Sequence, residues 1–268
     1  MTGCGDGHIR FWDMVGGHIV RMIQAHTPHG VLSMYLEPGN LLLSGSTSDE
    51  IKSWSIRTFK CTKRISSDLE AVWAVHCDDK YIAGGCEDSS VRIFEKQSGK
   101  FQQRLQGHTR AVRCVNLDGK YLYTGGEDGR VCVWVRVDDT QTSASQAMTR
   151  TLSLQDGETD VFSDQQEGDI RSSRKEMNTP FMMLHSFLKH DCVVRGLSTL
   201  GVGMFLISAS ADGVIYIWNI EEGRLVREEV CQGRSFQCIS NENGVLLAGS
   251  NSGTILKWLV ACPPPSNE

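Results

Sequence analysis

The residues of this sequence that most often perform chemistry are its eight histidines and ten cysteines. His26 and His29 flank a proline and could act as metal ligands, but no cysteine or carboxylate partner stands at the spacing of a zinc site. The cysteines form no C-x-x-C pair, and neither a G-x-x-x-x-G-K-[ST] loop nor a G-x-S-x-G turn occurs. We therefore predict a protein that is not an enzyme and has no catalytic residue, no metal and no cofactor.

Composition and charge indicate which classes of binding partner and which cellular compartment to expect. The 268 residues are 40% hydrophobic, enough for one large β domain or two small ones. A net charge of −5 argues against nucleic acid and against anionic membranes, because both would require a basic face. The sequence has no apolar run long enough for a transmembrane helix and no signal peptide. We expect reduced thiols and a cytoplasmic or nuclear location.

A repeat runs through most of the chain, in which a polar turn residue is followed six positions later by an aromatic one. The pairs are Asp6–Trp12, Ser48–Trp54, Asp88–Phe94, Asp128–Trp134, Asp212–Trp218 and Ser252–Trp258. The aromatic residues are 42, 40, 40, 84 and 40 positions apart, and about forty residues is the length of four short strands with their turns. Together with the period-two alternation of segments such as VCVWV (131–135), this spacing predicts an all-β protein of four-stranded sheets stacked radially. The Gly84-Gly85 and Gly125-Gly126 pairs are predicted to lie in turns of the repeat rather than in a phosphate-binding loop.

These repeats resemble the blades of WD40 β-propellers. Two copies match the His, Ser/Thr, Asp and Trp set of that family, namely His108, Thr124, Asp128 and Trp134, and His190, Ser208, Asp212 and Trp218. The resemblance implies that each set forms a buried hydrogen-bonded chain that pins a loop to its blade. Such a polar network is tolerated in a core only when its members are satisfied.

About six blades can be counted. Four look complete, at about 31–66, 70–106, 111–188 and 193–230, whereas the first copy lacks an inner strand and the last, 235–260, lacks an outer one. Unpaired inner-strand positions are costly, so the favoured interpretation is a truncated form of a longer, seven-bladed ring. A six-bladed ring with incomplete edges is the alternative.

The double spacing between Trp134 and Trp218 is predicted to hold an insertion, not a hidden blade. Residues 137–180 are rich in Ser and Thr and strongly acidic, so we expect a disordered loop that could be phosphorylated. The domain division is then 1–136 for the first blades, 137–180 for the insertion, 181–261 for the remaining blades and 262–268 for a tail.

One position of the inner strands is the best candidate for binding. When the inner strands are aligned by their first apolar residue, the second position holds Leu32, Trp73, Arg113, Arg195 and Gln237. In a propeller these five residues come round the ring at equivalent places near the mouth of the central channel. Loops and strand ends on a rigid scaffold are where recognition residues are usually placed.

The segment HTRAVRCVNLDGKYLYTGG (108–126) is similar to blades of the F-box/WD-repeat substrate receptors of ubiquitin ligases. That resemblance implies that Arg113, and more weakly Arg195, binds phosphate on a peptide, with Trp73 packing on the peptide. The sequence departs from those receptors at Glu87 and Glu127, where they tend to have a basic residue.

The sequence thus predicts a non-enzymatic scaffold or adaptor that binds other proteins or peptides on the loop face of a WD40 propeller. The alternative is a substrate-recognition subunit of a ubiquitin ligase that binds phosphorylated peptides. Nucleic acid, membrane and small-molecule partners are not expected.

Overall fold

The computed structural model describes residues 1–66, 70–137, 179–200, 204–231, 233–242 and 244–259. Every regular element in these ranges is a β-strand, and the ranges contain no helix able to cross a membrane. The strands form six antiparallel sheets, numbered blades 1 to 6 in chain order. The prediction of an all-β protein with four complete blades and two partial ones is confirmed.

The blades follow one another along the chain. Blade 1 (2–24) contains β1 (Thr2–Gly3), β2 (His8–Trp12) and β3 (Ile19–Gln24). Blade 2 (31–65) contains β4 (Val31–Glu37), β5 (Leu41–Ser46), β6 (Ile51–Ser55) and β7 (Lys60–Ile65). Blade 3 (72–106) contains β8 (Val72–Cys77), β9 (Tyr81–Cys86), β10 (Ser90–Glu95) and β11 (Phe101–Gln106).

The second half repeats this order. Blade 4 (112–188) contains β12 (Val112–Leu117), β13 (Tyr121–Gly126), β14 (Arg130–Arg136) and β15 (Phe181–Leu188). Blade 5 (194–230) contains β16 (Val194–Leu200), β17 (Phe205–Ser210), β18 (Val214–Asn219) and β19 (Arg224–Val230). Blade 6 (236–259) contains β20 (Phe236–Glu242), β21 (Val245–Ser250) and β22 (Ile255–Leu259).

In every sheet, strands adjacent in sequence are adjacent in space, and the first strand of each blade from β4 onward contacts the first strand of the next. These first strands therefore form the inner layer. The predicted insertion, residues 137–180, falls almost entirely outside the described residues. The chain on its far side forms β15, which pairs with β14 as the outer strand of blade 4, and the Val137 N–H donates to the Pro180 carbonyl at 2.9 Å.

Apolar side chains from neighbouring blades meet in a cluster at each interface. The aromatic residue of the repeat faces the preceding blade; Trp134, for example, packs with Ala83 and Ile93 of blade 3. The side chains of Trp54, Phe94, Trp134 and Trp218 are at most 6% exposed. Trp12 has no preceding sheet among the described residues, and it is 39% exposed.

The prediction that the glycine pairs lie in turns is wrong. Gly84-Gly85 and Gly125-Gly126 lie inside β9 and β13. A Cβ on Gly85 would come within 2.9 Å of Val112 in the next blade, and one on Gly125 within 2.6 Å of Val194. These are closer than carbon atoms can approach without a shift, so glycine here lets the next inner strand lie against the sheet.

Candidate functional site

The five inner-strand residues singled out above share one backbone feature. Each lies at a register shift between the first and second strand of its blade, so that the second strand has no residue opposite it. These positions are Leu32, Trp73, Arg113, Arg195 and Gln237. A bulge of this kind bends the strand and redirects the side chain of the extra residue. We call these five residues the bulge ring.

Two members of the bulge ring touch across the boundary between blades 3 and 4. The guanidinium carbon of Arg113 lies 3.4 Å from the centre of the Trp73 ring, which is a close cation–π stack. Glu127 receives hydrogen bonds from Nε of Arg113, at 2.7 Å, and from its Nη2. The Trp73 indole N–H donates to Glu87. The four side chains form a continuous chain of contacts from Glu87 to Glu127.

Glu87 and Glu127 change what this part of the site can bind. Each glutamate directly follows the second strand of its blade. The Glu87 N–H donates to the Ala71 carbonyl and the Glu127 N–H to the Ala111 carbonyl, and both alanines directly precede an inner strand. The Arg113 and Glu127 side chains are only 18% and 24% exposed. A phosphate arriving at Arg113 must therefore compete with a partly desolvated carboxylate that already holds the guanidinium.

The other three members differ from this pair. Arg195 is exposed and forms no hydrogen bond or ion pair with any other described residue, so its guanidinium is available to a ligand. Gln237 is exposed and donates to the Ser235 hydroxyl at 3.2 Å. Leu32 is half-buried. The ring is thus apolar in blade 2, an aromatic–arginine stack bonded to two glutamates in blades 3 and 4, basic in blade 5 and amide-bearing in blade 6.

Blade 4 also contains a fully connected polar network. Nδ1 of His108 donates to Asp128 at 3.1 Å, and Thr124 Oγ1 accepts from His108 Nε2 at 2.8 Å and from the Trp134 indole at 3.1 Å. Burial opposes a charged His108, but its interactions with Asp128 and Cys132 together outweigh burial and raise the pKa of His108 to about 9. Asp128 also accepts the N–H of Thr109 at 2.8 Å, which ties the loop before β12 to the blade.

The corresponding set in blade 5 is only partly connected. Ser208 Oγ lies 2.8 Å from His190 Nε2 and accepts from the Trp218 indole at 2.9 Å. Nδ1 of His190, however, is 3.7 Å from the Asp212 carboxylate and has no hydrogen-bond partner. Burial accordingly lowers the pKa of His190 to about 4.

The two blades differ at the residue next to the carboxylate. The second strand of blade 4 ends in Gly126, where a Cβ would overlap the Asp128 carboxylate and the His108 ring. Blade 5 has Ser210 at the same position, and its hydroxyl donates to Asp212. The serine both fills the space and holds the carboxylate away from the histidine.

A third set of this type, in blade 2, was missed by the sequence analysis. Ser44 Oγ lies 2.8 Å from His26 Nε2 and accepts from the Trp54 indole at 2.9 Å. Ser48 stands at the aspartate position, and Nδ1 of the buried His26 has no hydrogen-bond partner. Burial, helped by nearby Lys52, lowers the pKa of His26 to about 4. The signal was present in the sequence, because His26, Ser44 and Trp54 have the same separations, 18 and 10, as the blade 5 set.

Completing the blade 2 set should stabilise the protein. In the double variant Ser46→Gly with Ser48→Asp, we expect the new carboxylate to reach His26 as Asp128 reaches His108. The pKa of His26 should rise from about 4 to above 6.5, and the free energy of unfolding at pH 6 should increase by about 1–2 kcal/mol. An NMR titration of the histidine ring protons and urea unfolding would measure both effects. Ser48→Asp alone is the control, since Ser46 would hold its carboxylate as Ser210 holds Asp212. Equal His26 pKa values in the two variants would contradict the role assigned to the glycine.

Blade 3 replaces the histidine network with arginines. The Asp88 carboxylate accepts from Arg92 at 3.0 Å and from Arg104 at 2.9 Å, and Phe94 fills the aromatic position with no exposed surface. The hydrogen bonds from Ser90 and the charges of the two arginines outweigh burial and lower the pKa of Asp88. The turn is therefore pinned by ion pairs that stay charged at all ordinary pH values.

Comparison with known proteins finds similarity over parts of the chain. The family model "WD domain, G-beta repeat" matches residues 59–95, 99–135 and 181–219. Over 100 residues, or 36% of its length, the chain is 32% identical to Myosin heavy chain kinase C of Dictyostelium discoideum, of which it spans 12%. The crystal structure of the computationally designed Ika8 protein superposes with a TM-score of 0.69 at 19% identity, over 96% of this chain and 67% of that one.

Proposed function

We propose that this chain, which contains three WD40 repeats in a β-propeller of six sheets, is a non-enzymatic scaffold or adaptor that binds partner peptides on the bulge ring. WD40 repeats typically form surfaces for protein–protein interaction, and that much follows from the repeats themselves. The observation that supports this particular surface is the bulge at the same place in five successive blades. It places five side chains, one apolar, one aromatic, one amide and two basic, at equivalent points of the inner layer.

Each part of the ring suits a part of a peptide. The Trp73–Arg113 stack is a flat, preorganised platform on which an apolar or planar side chain can pack. Arg195 is exposed and can pair with an acidic group. Leu32 and Gln237 on the flanking blades add one apolar and one amide contact.

A second candidate function is the recognition of phosphorylated peptides by a ubiquitin-ligase substrate receptor. It is favoured by the similarity of residues 108–126 to such receptors and by two arginines on successive blades. The Glu127 carboxylate on Arg113 weighs against it, because phosphate must displace a bound anion. Arg195 is the better placed of the two for a phosphate.

Other attributes stay predictions. The cytoplasmic or nuclear location, the lack of nucleic-acid and membrane partners, and the domain limits rest on the sequence alone. Because the chain spans only 12% of Myosin heavy chain kinase C, the kinase activity in that protein's name is not part of this proposal.

A peptide array probed with the purified chain tests the function. For peptides that bind the wild-type chain, we expect Trp73→Ala and Arg195→Gln each to lower the affinity at least tenfold. Trp73→Ala removes the platform, and Arg195→Gln removes the available charge. Arg227→Gln, an exposed arginine on the outer strand β19, is the matched control and should bind normally. Equal binding by all variants would place the partner surface elsewhere.

The same array separates the two candidates. Phosphorylated and unmodified copies of each peptide would be compared with wild type and with Glu127→Gln, which frees Arg113 while keeping the shape of the side chain. A phosphate receptor should prefer the phosphorylated copy, bind it more tightly with Glu127→Gln, and weaken steeply as salt rises. A general peptide scaffold should bind the phosphorylated and unmodified copies equally, with wild type and with Glu127→Gln.

A further inference from the structure

The outer surface between blades 2 and 3 is a groove with two walls, and β7 forms the first wall. Lys60, Lys63 and Ile65 pair with alternate residues of β6 and therefore lie on one face of blade 2. Ile65 belongs to the apolar cluster between blades 2 and 3, so this face is turned towards blade 3. Lys60 is exposed, and Nζ of half-buried Lys63 donates to the Lys96 carbonyl at 2.7 Å and to the Gln97 carbonyl. The first wall thus carries two cations.

The second wall is β11 of blade 3. Phe101 pairs with Phe94, which lies in the same apolar cluster, and Arg104 pairs with Arg92, two residues before Phe94. Both side chains are therefore turned towards blade 2. The Phe101 ring packs edge-on against Phe94, with ring centroids 5.9 Å apart, but remains 45% exposed. The Arg104 side chain is exposed to the same extent. The second wall thus adds an accessible aromatic ring and a third cation.

The grooves between the other complete blades lack this concentration of positive charge. The positions of Lys60, Lys63 and Arg104 are defined by their pairing with the third strand, so their equivalents can be read from the register. The equivalents are Lys100, Gln103 and Ser186 between blades 3 and 4, and Met182, His185 and Glu228 between blades 4 and 5. The three grooves therefore carry three cations, one cation and one anion in turn, with histidine counted as neutral.

Protection of strand edges does not account for this charge. β7, β11, β15 and β19 are each the last strand of their sheet, and lysine on such an edge hinders pairing with other chains. Yet β15 contains no Asp, Glu, Lys or Arg, and β19 has as many acidic as basic residues. β7 and β11 contain basic residues and no acidic one, in a chain whose net charge is −5. The positive charge is thus particular to this groove.

The cations of the groove are available to an anionic ligand. Among the described residues, Lys60 has no acidic partner, and Lys63 donates only to carbonyl groups. Arg104 shares the Asp88 carboxylate with Arg92, so that one negative charge faces two guanidinium groups. Carboxylates of a ligand can pair with all three cations of the two walls.

The size and composition of the groove favour a short acidic peptide over a long polyanion. A nucleic acid running along the outer surface would leave the basic groove and meet a nearly neutral groove and then an acidic one, and it would be repelled by the net charge of the chain. A peptide can confine its carboxylates to this one groove. Its apolar side chains can also pack on Phe101, which gains little from contact with phosphates.

From the cations on both walls and the accessible phenylalanine, we propose that the groove between β7 and β11 binds an acidic segment of another protein. The segment carries an apolar side chain that packs on Phe101, flanked by carboxylates that pair with Lys60, Lys63 and Arg104. This surface lies on the outer strands and is separate from the bulge ring on the inner strands.

Fluorescence anisotropy on the full chain tests the proposal with two labelled peptides, DEDFDED and DEDGDED. We expect wild type to bind DEDFDED about threefold more tightly than DEDGDED, because only the former has a ring to pack on Phe101. Lys60→Glu should weaken the binding of DEDFDED about five- to tenfold, since an ion pair is replaced by a repulsion. Phe101→Ala should abolish the preference between the two peptides. Both residues are accessible at the surface, so neither change should unfold the chain.

Two variants are the controls. Arg224→Glu makes the same change of charge at the equivalent position of blade 5 and should bind DEDFDED as wild type does. Arg195→Gln alters the bulge ring and should also bind normally. Undetectable binding of DEDFDED, or equal losses for Lys60→Glu and Arg224→Glu, would overturn the proposal. A loss with Arg195→Gln in place of Lys60→Glu would assign the peptide to the bulge ring, which also overturns it.

Other anions provide the last comparison. A labelled oligothymidylate and phosphatidylserine vesicles should bind more weakly than DEDFDED at the same ionic strength. Tighter binding of either one, weakened by Lys60→Glu and unaffected by Arg224→Glu, would assign the groove to nucleic acid or to a membrane surface, and the proposal of an acidic protein segment would fail.

Discussion

Replacing Trp134 with alanine is expected to lower the free energy of unfolding by about 3–5 kcal/mol, whereas Trp12→Ala should cost only about 1 kcal/mol. The two residues hold the same place in blades 4 and 1. Each indole donates to a threonine hydroxyl ten positions earlier, Trp134 to Thr124 at 3.1 Å and Trp12 to Thr2 at 2.9 Å. The hydrogen bond is therefore common to both, and burial differs: Trp134 is 3% exposed and Trp12 39%.

The difference between the two variants measures the contribution of blade packing. Trp134 fills the interface with blade 3, so its removal leaves a cavity between two sheets that cannot close without moving a whole blade. Trp12 faces no sheet among the described residues, and its removal opens no such cavity. Urea unfolding followed by far-ultraviolet circular dichroism measures both, because that signal comes mainly from the β-sheet backbone. Similar losses for the two variants would mean that the indole stabilises its own blade and not the interface.

Much of the fold could be predicted because the repeated aromatic residue is needed to fill the interface between neighbouring sheets. A large aromatic residue every forty positions is needed wherever two sheets meet at an angle, and Trp54, Trp134 and Trp218 stand at those interfaces. The glycine pairs were misplaced for a related reason. Glycine is commonest in turns, but Gly85 and Gly125 are required by the valine of the next blade, a contact between residues far apart in sequence.

The candidate site could be predicted only in part. Alignment of the inner strands found the five positions of the bulge ring, because a bulge repeated in every blade keeps the residues in register. The alignment could not find the ion pair of Arg113 with Glu127. In the sequence, Glu127 is noticeable only because the similar receptors tend to have a basic residue at that position. Nor could it tell that the pKa of His108 is raised and that of His190 lowered, since the aspartate lies 3.1 Å from the histidine in blade 4 and 3.7 Å in blade 5.

Asp128→Asn is expected to destabilise the protein strongly near pH 6 and only slightly near pH 9.5. The pKa of His108 is about 9 in the folded chain against an ordinary value of 6.5, so the pair with Asp128 stabilises the fold fully below pH 6.5. This contribution declines as the pH rises and is lost above about 9. Without the carboxylate, His108 should resemble His26 and His190, whose pKa values are about 4. The loss at pH 6 should be about 3 kcal/mol, and at pH 9.5 below about 1 kcal/mol.

Asp88→Asn supplies the control for this pH dependence. Asp88 holds the same turn position in blade 3, but its partners Arg92 and Arg104 remain charged at both pH values. Its loss should therefore be equal at pH 6 and pH 9.5, when each variant is compared with wild type at the same pH by urea unfolding. If the Asp128→Asn loss were also equal at the two values, His108 would be neutral in the native protein, and the network of blade 4 would be held by neutral hydrogen bonds. A loss that shrinks for Asp128→Asn alone would show that a charged histidine pins this loop.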